Sequence, residues 1–300
     1  MEENVENRQT WRAYACILSA AALWGIIGIW NRALMARGLS PMEIVAVRNT
    51  GGMALLCGLF LFRDRSVFRV KREHLKYFFG TGVISVVLFT LCYFSCQRIC
   101  SLAAASILLY TAPSFVVLLS AALWREPVTG KKLCALALTL CGCALVCGVL
   151  SGGMTVTTAG ILLGLGAGFF YALYSVFGRY ALAHYPPMTV VVWTFLFAGP
   201  ASALVTALSV LPPDHPSGLS ALSDPGTALL ALCLAAFSTA APYVLYTEGL
   251  ARVEAGKASI MASLEPVAAS LAGVILLREP MGAAMAAGIA CVLAGVWILR

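Results

Sequence analysis

Ten uninterrupted apolar blocks, each of roughly 20 residues, constrain this chain more than any other feature. A helix needs about 20 such residues to cross about 30 Å of hydrocarbon. In a bilayer every backbone polar group must be satisfied within the protein, which leaves helices or a closed barrel, and continuous rather than alternating apolar blocks exclude the barrel. We therefore predict ten transmembrane helices, over residues 13–30, 44–62, 77–96, 103–124, 133–150, 161–177, 188–211, 227–247, 258–277 and 281–299.

The charged residues indicate how these helices are oriented. Only 11% of the chain is charged and 61% is hydrophobic, whereas a soluble domain carries about 25% charged residues. With the N-terminus inside, the cytoplasmic segments hold 15 Lys and Arg residues and the outer segments hold 4. This bias satisfies the positive-inside rule, so we predict a multi-pass protein of the cytoplasmic membrane with both termini cytoplasmic. The basic run 63–76 is expected to face anionic membrane lipid, and no nucleic acid partner is predicted.

The chain repeats itself at an offset of 153 residues. Residues 105–107 fall on residues 258–260, Pro113 falls on Pro266, and the Arg-Glu-Pro sequence at 125–127 recurs at 278–280. A shared apolar composition would produce chance Leu and Ala matches, but not a polar triplet at a fixed distance from a proline.

The repeat divides the chain into two halves, residues 12–150 and 158–300. Each half holds five predicted helices, and because five is odd the second half enters the membrane in the opposite orientation. The predicted fold is an all-α polytopic membrane protein of ten transmembrane helices, arranged as two inverted five-helix repeats. Secondary carriers commonly use this plan, with a solute site at the interface of the repeats.

These motifs also resemble a known family. The similarity lies in Pro113, the Trp-Arg-Glu-Pro sequence 124–127 and Gly142, in their copies at 264–266, 277–280 and 295, and in Trp24-Gly25 and Arg48. Together they resemble the paired EamA domains of the drug/metabolite transporter superfamily. The resemblance implies ten spans, cytoplasmic termini, and export or exchange of small metabolites such as amino acids. It covers nearly the whole chain.

Two charged residues within spans are candidate solute-site residues, because charge inside a membrane is costly and usually faces a cavity or a partner. Glu265 lies seven residues into the ninth span and suits a proton-coupling or cation-binding role; alternatively it braces the helix break at Pro266. Arg48 lies four residues into the second span, where it either neutralises a substrate carboxylate or extends to the interface.

Aromatic residues within the spans form a second set of candidates. A mid-span tyrosine must place its hydroxyl in a polar environment, which is either a solute cavity or a neighbouring helix backbone. We assign to the substrate-binding set, beside Arg48 and Glu265, the residues Trp24, Tyr93, Tyr110, Tyr171, Tyr174, Trp193, Tyr243 and Tyr246.

No metal, cofactor or catalytic group is predicted. Most of the 11 cysteines lie in apolar spans, where Cys acts as a small hydrophobe, and the three histidines fall in loops without metal or triad spacing. The predicted function is a secondary transporter, an exporter or exchanger, of a small organic metabolite such as an amino acid or amine. The alternatives are a membrane enzyme acting on lipid and an exchanger of phosphorylated metabolites. The expected partners are the solute, membrane lipid, protons and a second copy of the chain.

Overall fold

The computed structural model describes residues 2–150, 154–210, 217–278 and 280–299, and all regular structure in these ranges is helical. The α-helices are α1 Glu2–Gly25, α2 Ile27–Met35, α3 Pro41–Arg63, α4 Leu75–Phe79, α5 Leu88–Ile99, α6 Leu102–Leu109, α7 Ala112–Trp124, α8 Gly130–Val146, α9 Thr158–Leu182, α10 Pro187–Val210, α11 Pro225–Ala235, α12 Ala241–Leu250, α13 Ala255–Ala262, α14 Glu265–Leu277 and α15 Ala283–Ile298. Residues 151–153 of the predicted connection between the halves, and Glu279 of the second Arg-Glu-Pro sequence, lie outside the described residues.

Eight helical segments of the described chain are long and apolar enough to cross a membrane. They are Arg8–Met35, Pro41–Arg63, Arg72–Ile99, Leu102–Trp124, Thr158–Leu182, Pro187–Ser209, Pro225–Leu250 and Ala255–Leu276. The predicted fifth and tenth spans correspond to the shorter helices α8 and α15, of 17 and 16 residues. An all-helical, multi-pass membrane fold is therefore confirmed, whereas the count of ten spans stays a prediction.

Two of the spanning segments are broken at equivalent places. Helix α6 ends before Tyr110 and α7 restarts with Pro113 in its first turn; α13 ends before Ser263 and α14 restarts with Pro266 in its first turn. A proline has no N–H and its ring collides with the carbonyl four residues earlier, so a helix is interrupted just before it. Both breaks fall at the same offset of 153 residues as the sequence repeat.

Two further irregularities follow the same spacing. The segments Gly80–Val87 and Ala236–Ala240 are widened π-helical turns within their spans. The residues that end α7 and α14, Arg125 and Arg278, are the described non-glycine residues with positive φ, 54° and 57°. Because left-handed backbone is unfavourable for a residue with a side chain, its recurrence 153 residues apart indicates a shared local structure rather than coincidence.

Helices α8 and α15 pack along each other through glycines. A Cβ added to Gly142 would lie 2.7 Å from the Gly288 carbonyl oxygen and 2.9 Å from the Val292 nitrogen, and one added to Gly295 would lie 2.8 Å from Thr139 Cγ2. Gly142 and Gly295 are 153 residues apart, as are Thr139 and Val292, so each helix meets the other with the same face. Small residues permit this close backbone approach.

The two halves also interlock at the centre of the bundle. Helix α1 packs on α12 and α14, α3 packs on α10, and α5 packs on α9. Each contact joins one helix from residues 12–150 with one from residues 158–300. The largest buried apolar cluster includes Trp24, Tyr174, Tyr243 and Tyr246, which places the predicted aromatic candidates where the halves meet.

Candidate solute-binding site

An aromatic cluster centres on Trp24 of α1. Its ring centroid lies 5.3 Å from that of Tyr243, 5.5 Å from that of Tyr246 and 6.5 Å from that of Tyr171. Tyr174 completes the group, with its centroid 5.0 Å from that of Tyr243 in an edge-on arrangement. Such geometries lie within the range that aromatic pairs prefer. The cluster brings together five of the predicted candidates, from α1, α9 and α12.

Two of these tyrosines are held by hydroxyl contacts between α9 and α12. The Tyr174 hydroxyl lies 2.7 Å from Thr247 Oγ1, and the Tyr246 hydroxyl lies 2.7 Å from Ser175 Oγ. A buried hydroxyl needs a hydrogen-bond partner, and here each has one on the neighbouring helix. These bonds therefore fix both rings as rigid walls of the cluster.

Arg48 and Glu265 attract each other electrostatically beside the aromatic cluster. The guanidinium group of Arg48, on α3, interacts electrostatically with Glu265, Tyr243 and Tyr171. Its Nε is buried and has no hydrogen-bond partner among the described residues. A charge within a membrane helix requires a partner or a polar cavity, and Glu265 lies in the lining of a small cavity while its charge attracts Arg48. At least one hydrogen-bond donor of Arg48, the Nε–H group, is therefore left without a partner among the described residues.

Glu265 owes its place to the helix break. It is the first residue of α14, immediately before Pro266, and an acidic side chain there faces the positive end of the helix dipole. Both sequence interpretations of Glu265 are compatible with this position, because the same residue lies at the break and is attracted by the charge of Arg48.

Two small cavities adjoin these groups and share Tyr171. One, of about 20 Å³, is lined by Glu265, Tyr110, Ser259 and Ser263 among others. The second, of about 10 Å³, lies against Trp24, Phe89, Ser85 and the clustered tyrosines. Each has room for about one water molecule. Admitting an organic solute therefore requires the surrounding helices to move apart.

The other three candidates lie in different places. Tyr110 lines the cavity beside Glu265. The Tyr93 hydroxyl lies 3.1 Å from Ser106 Oγ, and its ring contacts Phe89, which in turn contacts Tyr171, so Tyr93 borders the cluster through Phe89. Trp193 donates its indole N–H to the Val67 carbonyl oxygen at 3.1 Å and lies outside the linings of both cavities.

The sequence interpretation missed several serines of the site. Ser85, Ser175, Ser259 and Ser263 line the two cavities. A serine in an apolar span gives no periodic signal, because its hydroxyl often bonds to its own helix backbone. For Ser259 the available signal is its recurrence with Ser106 at the offset of 153 residues, which by itself does not distinguish a solute-site residue from an architectural one.

The long apolar helices and the charged, aromatic centre between the halves define a multi-pass helical membrane protein. The chain belongs to the EamA-like transporter family, whose model matches residues 11–148 and 158–300. The resemblance predicted from the motifs is thus confirmed, and the class of protein is a membrane transporter.

Relatives and a solved structure agree with this assignment. An uncharacterized transporter of Archaeoglobus fulgidus is 27% identical over 91% of this chain and 95% of its own length. The uncharacterized transporter YwfM of Bacillus subtilis is 25% identical over 94% and 92%. The threonine/homoserine exporter RhtA of Escherichia coli is 32% identical, over 42% of this chain and 40% of its own. A protein known from a crystal structure shares the fold with a TM-score of 0.80 and 21% identity, covering 95% of both chains.

Proposed function

We propose that this protein is a secondary transporter of the cytoplasmic membrane that exports or exchanges a small organic solute carrying an ammonium group, such as an amino acid or amine. The observation that carries the proposal is the presence of two opposite charges, Arg48 and Glu265, which interact electrostatically beside the aromatic cluster at the junction of the halves. A pair of opposite charges in a low-dielectric site can be exchanged for the two charges of a zwitterion at little net cost.

Each part of the site suits one part of such a solute. Glu265 would accept the ammonium group, and the faces of Tyr110 and Tyr171 are suited to the same cation. The buried Nε of Arg48, which lacks a partner among the described residues, would bond to a carboxylate. The apolar rings around Trp24 would contact the side chain of the solute. An amine without a carboxylate would use Glu265 alone.

Ten spans and an inverted repeat belong to this proposal. The reciprocal contacts of Gly142 and Gly295 between α8 and α15 support it, because a two-fold axis relating the halves would produce such a pair. The equivalent breaks at Tyr110 and Ser263 support it as well. In carriers built this way, rocking of one repeat against the other exposes a central site alternately to each side.

The direction of transport rests on a partial similarity. RhtA carries the name of a threonine/homoserine exporter and matches 42% of this chain. We infer export, driven by protons or by exchange, with Glu265 as the group that carries the proton. Both termini are proposed to be cytoplasmic, and α8 and α15 to form the contact between protomers if a dimer forms.

The alternative functions have less support in the site. An exchanger of phosphorylated metabolites would need several cations around the phosphate, and among the described residues Arg48 is the cation that reaches the aromatic cluster. A lipid-modifying enzyme would need a nucleophile beside a general base, and the histidines His74 and His184 instead stack on each other outside both cavities.

The test uses purified protein in liposomes. Vesicles loaded with one labelled solute from a panel of neutral amino acids, basic amino acids and amines should release it faster than protein-free vesicles, and release should depend on Arg48 and Glu265. Arg48→Met and Glu265→Gln should lower the rate at least tenfold, whereas Glu248→Gln, a matched carboxylate change in the Glu248–Arg252 pair outside the site, should not. If no solute moves and the protein instead turns over lipid, the transporter proposal is wrong.

A further inference from the structure

A cluster of four charged residues, two of them buried, lies at one end of the bundle, apart from the candidate solute site. Lys132 Nζ lies 2.8 Å from Glu254 Oε2 and 3.7 Å from Glu126 Oε2. The other carboxylate oxygen of Glu126 accepts a hydrogen bond from the Arg179 guanidinium. The side chain of Lys132 is only 3% exposed and that of Glu126 only 7%. Their partners Glu254 and Arg179 are 35% and 33% exposed, so each close pair joins a buried charge to a half-buried one and is less screened than a pair between two exposed side chains.

The cluster joins the two EamA domains. Lys132 and Glu126 belong to residues 11–148, whereas Arg179 and Glu254 belong to residues 158–300. Both of the tightest contacts, Lys132 with Glu254 and Arg179 with Glu126, cross between the domains. Arg179 makes a second contact between the domains, a cation–π contact in which its guanidinium carbon lies 5.0 Å from the Trp124 ring centroid. Separating the domains at this end must break all three contacts.

Each domain nevertheless keeps a partner for its own carboxylate. Lys132 and Glu126 are 3.7 Å apart within the first domain, and Lys257 Nζ lies 3.7 Å from Glu254 Oε2 within the second. When the domains separate, these pairs can close, so that neither carboxylate is left buried and unpaired. Removing a partner from a buried charge is strongly unfavourable, whereas exchanging one partner for another is not. The cluster thus has two acceptable arrangements, one closed and one open.

The contact between Lys132 and Glu254 has no counterpart in the sequence repeat. In the sequence repeat, the position equivalent to Lys132 is Met285, and the position equivalent to Glu254 is Ser101. The opposite end therefore lacks the contact between Lys132 and Glu254, although the backbone irregularities of the two halves correspond. The predicted topology assigns the end with the cluster to the cytoplasm.

We propose that Lys132, Glu126, Arg179 and Glu254 form a cytoplasmic gate, which closes the path to the solute site by cross-domain ion pairs and opens by exchange to pairs within each domain. The gate regulates access to the site proposed above, and it rests on that proposed function for its role. Helix α13 begins directly after Glu254 and carries Ser259, which lines the cavity of Glu265. Movement of Glu254 away from Lys132 would therefore carry the cavity wall with it.

The test measures access to Ser259, which is 3% exposed in the closed arrangement. A single cysteine replaces Ser259 in a background without the native cysteines, and a membrane-impermeant thiol reagent is added to inverted vesicles, whose cytoplasmic face is outside. Lys132→Met, which installs the residue of the equivalent position, and Glu254→Gln should each raise the labelling rate by about tenfold or more, the change that 1.4 kcal/mol produces. If Lys132→Met does not fold, Glu254→Gln alone carries the test.

Two matched controls complete the design. Lys131→Met changes the exposed neighbouring lysine of α8, and Glu248→Gln breaks the Glu248–Arg252 pair, which lies within one domain. Neither should alter labelling. Equal labelling of the cluster variants and the controls would overturn the gate, and so would a rise in all four, which would indicate general loosening. A rise confined to the cluster variants, in a protein that moves no solute, would support the gate and contradict the proposed transport.

Discussion

The Ser175 side chain lies 2.7 Å from the Tyr246 hydroxyl, and this contact holds the ring of Tyr246 against Trp24. It joins α9 to α12, two helices of the same half, whereas Trp24 comes from the other half. The part of the site wall formed by α9 and α12 is therefore held together by this bond, whereas Trp24 on α1 can move away from it. This arrangement suits a site that must open by movement between the halves.

Trp24 should contribute to solute affinity. Trp24→Ala removes the ring that faces Tyr171, Tyr243 and Tyr246, so solute affinity is expected to fall at least tenfold. Trp193→Ala is the matched control, because that indole packs outside both cavities; it should lower stability, with a cost of about 3–5 kcal/mol typical of buried aromatic truncations, but leave affinity unchanged. Transport KM and melting temperature, measured for both variants, separate the two effects. Normal affinity in Trp24→Ala would mean that the cluster is only core.

The Tyr246 hydroxyl should matter for stability more than for binding. Tyr246→Phe keeps the ring and leaves Ser175 Oγ without its partner, which should cost about 1–3 kcal/mol. Solute affinity should change less than in Trp24→Ala. Thermal unfolding and KM provide the measurement, and a larger loss of affinity than in Trp24→Ala would indicate that the hydroxyl bonds to the solute.

Glu265 should carry the pH dependence of transport. With the carboxyl replaced in Glu265→Gln, a proton gradient is expected to drive no accumulation, while exchange of solute for solute continues at a reduced rate because the ammonium group has lost its charged partner. The measurement compares the pH dependence of gradient-driven uptake and of counterflow in the variant and the unmodified protein. Unchanged pH dependence in the variant would leave Glu265 with a structural role at the helix break.

The ionised side chain of Glu254 should stabilise the folded protein at neutral pH, and this stabilisation should be lost in acid. Burial alone would raise its pKa, but the hydrogen bond from Lys132 and the charges of Lys257, Lys132 and Arg179 lower the pKa of Glu254 below its ordinary value of 4.5. A carboxyl group with a lowered folded-state pKa stabilises the protein above its unfolded pKa, and this contribution is lost as the pH falls through the folded value. The melting temperature of Glu254→Gln should therefore lie below that of the unmodified protein at neutral pH and converge with it below about pH 4. Parallel curves over the whole range would contradict this assignment.

Topology can be tested with two exposed serines. The charge bias predicts Ser66 on the cytoplasmic side and the segment 212–225 outside, of which residues 212–216 lie outside the described residues. Ser220 is the better outer site than Ser217, because the Ser217 hydroxyl donates to Glu43 at 2.8 Å. In a background without native cysteines, Ser220→Cys should label from outside and Ser66→Cys only after permeabilisation. The reverse pattern would rule out the proposed orientation.

The sequence by itself determined the properties that depend on residues close together along the chain. Apolar length specified most of the spanning helices, and Pro266 predicted a break because a proline acts on its own helix; the equivalent break before Pro113 follows from the same repeat. Arg48 and Glu265 were recognisable as candidates because a charge within an apolar span is costly wherever it points. The recurrence at 153 residues located the family motifs.

Only the tertiary structure decided which side chains meet. From the sequence, Lys132 and Arg179 are recognisable only as cytoplasmic charges. In the structure both lie against Glu126, and Lys132 also contacts Glu254. Trp193 matched the aromatic pattern but faces Val67. The physical reason is that an almost wholly apolar helix lacks the amphipathic contrast that would reveal which of its faces is turned inward. Its rotation is set by close packing with other helices, through contacts such as that of Gly142 with Gly288, between residues far apart in the chain.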